Sequence, residues 1–334
     1  MSNNYKNTIY RAAIFICLAL LVPVHTAQAE EFILKHADTL EASKNEVIVN
    51  GNILINYKDA IIEAPEGKII TDDTGKPIKA VFEKRAKIKM TDRFLVADQI
   101  TVNIKEQTLF AEGNSISELD DKDKNKITIS SNYQELHWSG ENASAKGNLK
   151  TTYKDTLVTA DEVLIIYKNK KPNEAIFYGI NSKATIKQPN HHTSANSITF
   201  NLDTHGVKAS GDVNNVSWPD DTKNTIEQDP VFVTAEDLFI DNELGKITAT
   251  SPNKKVKLIY QDTKGESLKA YLVKNLTTGK PEQIIFIGNA QVSQIDKELI
   301  SEEVVFNFAD KKLTSNTIIN KRPKTLIYKD NAKP

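Results

Sequence analysis

Cysteine is almost missing from this chain. Its 334 residues contain one, Cys17. That residue sits inside an N-terminal apolar run, and Ile16 stands before it where a lipidation box would want a small residue. The rest of the chain therefore has no disulfide to form and no thiolate to offer a metal. Its stability must come from a packed core and a backbone ladder. Long apolar runs are scarce too. The one from Ala12 to Val24, about 13 residues ending near Pro23, falls short of the ~20 that span a bilayer. An excess of either charge is absent: 43 Lys and Arg face 44 Asp and Glu, for a net charge of −1. Removing Lys6 and Arg11 takes the remainder to −3, which argues against nucleic acid as a partner. Helical stripes at i, i+3, i+4, i+7 are absent outside the N-terminal run.

Catalytic motifs are missing as well. There is no G-x-S-x-G elbow, no P-loop and no H-E-x-x-H. His36, His137, His191, His192 and His205 are scattered. His191-His192 follows Pro189-Asn190 and reads as a turn before a strand. The expectation is no enzyme, no cofactor and no metal.

What the chain does have is an export signal and a repeat. Lys6 and Arg11 precede the apolar run, and Ala27-Gln28-Ala29 forms a cleavage box, so residues 1–29 read as a signal peptide with Glu30 as the first mature residue. The repeat has two phrases. One is a small residue and often an acid, then alternating apolar positions: Ala97-Asp98, Ala160-Asp161, Ala195-Asn196 and Ala235-Glu236, with weaker copies at Ala64, Ser131, Ala270 and Ser301. The other is Gly plus a short polar residue: Gly113-Asn114, Gly147-Asn148, Gly211-Asp212 and Gly288-Asn289. A pitch of roughly 30–40 residues marks stacked units that bury an apolar face only by sharing it. Asp98, Asp161 and Glu236 recur at equivalent places, which points to a shared structural task such as holding a backbone donor.

Period-two alternation makes these units strands. Ile100 and Val102 share a face, as do Val163 and Ile165, Ile198 and Phe200, Leu238 and Ile240, and Val304 and Phe306. Turn chemistry separates the runs, for example at Asp72-Asp73-Thr74-Gly75 and Asn169-Lys170-Lys171-Pro172. The charged stretch from Glu118 to Lys126 reads as a solvated loop. Residues 219–230, rich in Asp and Thr and without periodicity, form a linker or long loop. It separates a first segment, 30–218, from a second, 231–328, which continues the first or abuts it; 329–334 is a tail.

These phrases after an export signal resemble the OstA-like family of lipopolysaccharide transport. That family includes a periplasmic bridge protein and the N-terminal domain of an outer-membrane assembly protein. The likeness is densest in Ile284-Ile285-Phe286-Ile287-Gly288-Asn289-Ala290-Gln291-Val292 and continues through Leu299 to Phe306; Phe94 to Asn114 repeats it. The resemblance implies an all-β fold, an antiparallel β-jellyroll or β-taco built from repeated hairpin units. It implies a periplasmic protein that shields lipopolysaccharide acyl chains in an apolar groove lined by Ile100, Val102, Val163, Ile165, Ile198, Phe200, Leu238, Ile240, Val304 and Phe306. Expected partners are lipopolysaccharide itself, other transport proteins at both membranes joined by edge-strand pairing, and further copies in a head-to-tail oligomer. The expected joints are the first strand near Ile33 and the last near Leu326. Two other readings remain: the inner-membrane-anchored LptC-like component of the same route, and a structural β-solenoid at the cell surface. An interior whose side chains meet tightly, leaving no lengthwise channel, would overturn the carrier reading, which leans on a standing gap between the sheets.

Overall fold

The computed structural model describes residues 32–316, except 139, 141, 190, 219–228 and 278–279, together with 323–327. The expected signal peptide, most of the expected linker and the expected tail lie outside the described residues. All regular structure among them is strand. The order begins β1 (Phe32–His36), β2 (Thr39–Ala42), β3 (Glu46–Tyr57), β4 (Ala60–Thr71), β5 (Pro77–Lys89), β6 (Arg93–Asn103), β7 (Thr108–Asp120) and β8 (Lys126–His137). It continues with β9 (Asn142–Tyr153), β10 (Thr156–Lys168), β11 (Lys171–Tyr178), β12 (Ala184–Gln188), β13 (His191–Ala195), β14 (Ser197–Asn201), β15 (Val207–Ser217) and β16 (Val231–Asp241). The last are β17 (Lys246–Thr250), β18 (Val256–Tyr260), β19 (Thr263–Ser267), β20 (Lys269–Lys274), β21 (Pro281–Ser293), β22 (Lys297–Asn307), β23 (Leu313–Asn316) and β24 (Lys324–Ile327).

Every ladder is antiparallel, and all the strands belong to one sheet. The strands are those the alternation predicts, and the fold is the antiparallel β-jellyroll that the resemblance implies. The sheet meanders, with long strands such as β4 to β9 each pairing with those before and after them. It is also creased. Near mid-strand the register jumps, as between Asn50 and Ile53, Glu83 and Ala86, Glu112 and Ser115, and Ser210 and Val213. A bulge bends its strand and sharpens the twist. Because the jumps align from strand to strand, the whole sheet folds along one line. Where the crease breaks a strand outright, two short strands replace a long one: β1 and β2 both pair with β3, and β11 and β12 both pair with β10. β15 and β16 pair on both sides of the crease, so the sheet runs on past residues 219–230.

The two repeat phrases meet at this crease on neighbouring strands. The Gly-Asn pairs are left-handed at both residues: φ is +74° at Gly113 and +43° at Asn114. Asp98, on the adjacent strand, caps them. Its Oδ2 accepts the Asn114 side-chain amide at 2.7 Å, and it lies so near that a Cβ on Gly113 would come within 2.7 Å of that oxygen. Asp38 takes the Asn52 amide in the same way at 3.0 Å, and Asn132 takes that of Asn148 at 3.3 Å. Asp161 instead accepts three backbone N–H groups, from Ile180 and Asn181 at 2.7 Å and Ser182 at 3.2 Å, bonds that hold its carboxyl below the ordinary range. Glu236 accepts the Asn253 N–H at 3.1 Å. The small residue before each cap faces inward: Ala97, Ser131 and Ala195 are buried at the fold line, where the walls are closest. The weak copy placed at Ala270 is shifted. The crease passes through Ser267 and Leu268, where a leucine replaces the acid and covers Gly288.

Candidate functional site

Creasing a meander brings its two rows of turns together. One row holds the turns at 58–59, 90–92, 121–125, 154–155, 261–262 and 294–296; the other holds those at 72–76, 104–107, 169–170, 202–206, 242–245 and 308–312. Between the rows and the crease lies a single apolar interior running from Val49 to Phe306. All ten residues expected to line a groove face into it. Ile100, Val102, Ile198 and Val304 are fully buried, and Phe200, the most accessible of the ten, is 6% exposed. On the outer face Phe239 is 45% exposed.

The interior is not an open gutter in this structure. Its side chains meet each other, and the void lined by Val163, Ile165, Ala175, Phe177 and Phe200 measures about 20 Å³, the room of one water-sized sphere. Thr151 and Tyr153 also line it, and the Thr151 hydroxyl has no hydrogen-bond partner. The expected standing gap is thus absent among the described residues, and a ligand could enter only if the walls part.

The two rows are joined by side chains. Among the described residues no backbone–backbone hydrogen bond links one row to the other. Trp138 packs edge-on against Tyr57, ring centroids 5.0 Å apart, and its Nε1–H donates to Asp59 at 3.4 Å. The Arg93 guanidinium lies over the Tyr167 ring at 5.2 Å, and Lys171 pairs with Asp92 at 3.6 Å. Lys122 reaches Asp203 at 2.9 Å, raising its own pKa and lowering that of the carboxyl. Tyr153 packs on Phe200 at 5.8 Å. His191 meets Lys274 at 3.2 Å. Further along, Tyr260 packs on Phe308 at 4.9 Å, and Gln294 donates to the Lys311 carbonyl at 3.3 Å. Between the rows, beside Trp138 and Arg93, opens a cleft of about 590 Å³ that also takes in Lys58, Met90, Lys170 and Lys171.

The polar and aromatic links across this seam are individually weak. A partly exposed ion pair contributes ~0–1 kcal/mol, and an aromatic or cation–π contact about 0.5–1.5 kcal/mol. The creased edge is held by continuous backbone ladders and by the caps of the repeat. The weaker line of closure is therefore the seam.

Two expectations need correction. His191 and His192 belong to β13 rather than to a turn. The stretch around Asp120 is not simply a solvated loop. Asp121 is 2% exposed and accepts the N–H groups of Asp123 (2.8 Å) and Asn125 (2.7 Å), the Asn125 amide (2.9 Å) and the Tyr153 hydroxyl (2.7 Å). Burial works to raise its pKa, but these bonds outweigh it and the net shift is downward. Burial and the Asp121 carboxylate push the Tyr153 phenol well above its ordinary value. The seam residues were not singled out from sequence, though a signal exists. Tyr57-Lys58-Asp59, Tyr153-Lys154-Asp155, Tyr167-Lys168-Asn169 and Tyr260-Gln261-Asp262 all place an aromatic residue against a tight hairpin loop, with φ positive at Lys58, Lys154, Asn169 and Gln261.

Among the described residues no group of three or more His, Cys, Asp or Glu side chains comes together to hold a metal. Fold and site together define an antiparallel β-jellyroll around a long apolar interior closed by a side-chain seam. No protein-family model matches the chain, and no curated protein matches it. Among solved structures it is similar to the crystal structure of LptH from Pseudomonas aeruginosa, titled the LptA homologous periplasmic component of the conserved lipopolysaccharide transport device. That likeness covers 52% of this chain and 95% of the other, at 12% identity and a TM-score of 0.30. A score this low leaves the functional reading to rest on the geometry.

Proposed function

We propose that this protein is a periplasmic lipopolysaccharide carrier that parts its seam to take acyl chains into the jellyroll interior during transport to the outer membrane. The observation that carries this reading is the asymmetry of the closure: a continuous apolar interior held by ladders at the crease and by side chains alone at the seam. An acyl chain repays the opening. Each buried methylene is worth about 0.8 kcal/mol, so a chain of about ten offsets several seam contacts and covers the lining that parting exposes. The sugars would stay outside, beside the polar turns. Ile100, Val102, Val163, Ile165, Ile198, Phe200, Leu238, Ile240, Val304 and Phe306 would form the walls.

Transfer along a route needs neighbours. Among the described residues β1 pairs only with β3, and β24 only with β22, so each strand has an edge without a described ladder partner. Edge-strand pairing there would join this protein to other transport proteins at either membrane, or to further copies head to tail.

The test is photo-crosslinking in living cells from Phe200 and Leu238, with outward Thr199 and Phe239 as controls. Lipopolysaccharide adducts at the first two alone are expected. Adducts at none of the four, or equally at Phe239, would sink the carrier reading.

A further inference from the structure

We propose that copies of this protein stack side by side, a basic patch on one outer wall of each jellyroll meeting an acidic patch on the opposite wall of the next. The crease divides the long strands into two arms, and with them the outer surface into two walls. The inference concerns those walls and stands whether or not the interior carries lipid.

The basic patch spans β12 to β19. A row of register partners crosses it: Lys187, His192, Val216, Phe232, Ile259 and Lys264. They point outward, because the residues that alternate with them, such as Ile186, Thr193, Val233 and Leu258, are buried. Phe232 and Ile259 lie opposite each other at 47% and 44% exposure, an apolar pair with no cover among the described residues. Lys187, Lys257 and Lys264 on these strands, with Lys255 just before β18, surround the pair. Among the described residues one outward carboxylate on this arm faces them, Glu266, which Lys255 and Lys257 share at 3.8 and 3.6 Å.

The acidic patch lies on the other wall, over β7 to β11. Its apolar part is Phe110 packed on Tyr133, ring centroids 6.1 Å apart, and Leu164 opposite Ile176. Glu112, Glu135, Glu162 and Glu174 stand among them on outward positions. Against these are Lys146, which lies over the Tyr133 ring at 4.7 Å, and Lys168 at the rim.

An apolar centre ringed by polar and charged groups is what a protein surface offers to another protein. Here the two rings differ in sign. Two basic walls, or two acidic ones, repel when brought face to face, so a symmetric dimer through either patch is disfavoured. Basic on acidic attracts, and the two surfaces are different, so the contact is heterologous and repeats from copy to copy. An anionic membrane would account for the basic wall and leave the acidic one without a role; a second copy accounts for both. Neither patch includes β1 or β24, so such rows are separate from pairing at the ends of the sheet.

Sedimentation of the mature chain at about 0.01 M and about 1 M salt, where the screening length is roughly 30 Å and 3 Å, tests this. Self-association should weaken by roughly tenfold or more at the higher salt. Reversing either patch alone, by Lys187→Glu with Lys264→Glu or by Glu162→Lys with Glu174→Lys, should abolish it. Mixing the two variants should restore it, which misfolded chains would not do. Assembly that is equal at both salts, or unchanged in both variants, belongs to the sheet edges and overturns the stacking; so does a mixture that stays apart. The faces are checked by crosslinking. Cys17 is the chain's one cysteine and lies in the expected signal peptide, so mature Phe232→Cys and Tyr178→Cys chains each carry a single thiol. A flexible bismaleimide should join the two variants to each other far more than either to itself, and equal yields in all three samples overturn the assignment. A wild type that is monomeric at low salt also overturns it; if that monomer binds phosphatidylglycerol vesicles through Lys187 and Lys264, the occupant of the basic wall is a membrane instead.

Discussion

Replacing Asp121 by Asn tests whether the rim of the interior is held by a buried charge. The carboxylate accepts four hydrogen bonds, two from backbone N–H groups at Oδ1 and two from the Asn125 amide and Tyr153 hydroxyl at Oδ2. An asparagine oxygen can keep the first two. Its amide then faces two donors, and only the hydroxyl can reverse. One bond to a charged acceptor is lost, and a donor is left against a donor. Bonds to charged groups are worth about 1.5–3 kcal/mol, so the variant should lose about 2 kcal/mol at pH 7. The charge also sets the pH dependence. The folded pKa of Asp121 is depressed, so its contribution is full above the unfolded value near 3.8 and fades as pH falls through the folded pKa. Urea unfolding should therefore separate variant and wild type by about 2 kcal/mol at pH 7, with the gap narrowing as pH falls from the unfolded value near 3.8 through the depressed folded one. An equal gap throughout would show that shape, not charge, does the holding. No gap at pH 7 would refute the argument. Because Tyr153 packs on Phe200 across the seam, the variant should also load lipopolysaccharide faster.

Other perturbations probe the crease, the core and the ends. Gly265→Ala would place a Cβ within 2.2 Å of the Phe286 ring and should cost about 1–3 kcal/mol by denaturation; a neutral result would mean the ring moves aside freely. Asp98→Ala removes the cap on Asn114 and should cost about 1 kcal/mol, whereas the same change at exposed Asp155 should cost less than about 0.5 kcal/mol. Proline at Ile33 or Leu326 should abolish head-to-tail assembly by removing a ladder donor at each end; unchanged sedimentation of both variants would refute edge pairing. Trp138→Ala frees Tyr57 and Asp59 from the opposite row and should speed lipopolysaccharide uptake, measured by fluorescence; slower uptake would make Trp138 part of the binding wall instead of the closure.

The crease was half legible in the amino acids. Both phrases stand out because each needs a particular chemistry: an acid or amide to cap, and a glycine to turn left-handed beside it. Two creases escape that reading. At Lys84 and Arg85 the left-handed pair has φ of +60° and +71° without any glycine, and Arg85 instead bonds the Asn114 carbonyl at 2.9 Å. At Leu268 a hydrophobic side chain stands in for the carboxylate. The apolar part of the inward set was legible, because a period of two has only two faces to choose from. The seam was not, and the reason is geometric. Its partners lie a variable number of strands apart: Tyr57 on β3 meets Trp138 after β8, Arg93 on β6 meets Tyr167 on β10, and Tyr153 on β9 meets Phe200 on β14. That offset comes from how far the creased sheet twists before its two rows of turns meet, a sum over many strands. A periodic pattern reports which face a residue takes within its own strand; it carries no record of the accumulated twist. The same reasoning explains why the inward polar residues of β13 and β15 went unseen. Thr193, Asn215 and Ser217 look like ordinary hydroxyl and amide residues of a wet face until the strand parity around Ala195, Val213 and Val231 turns them inward together.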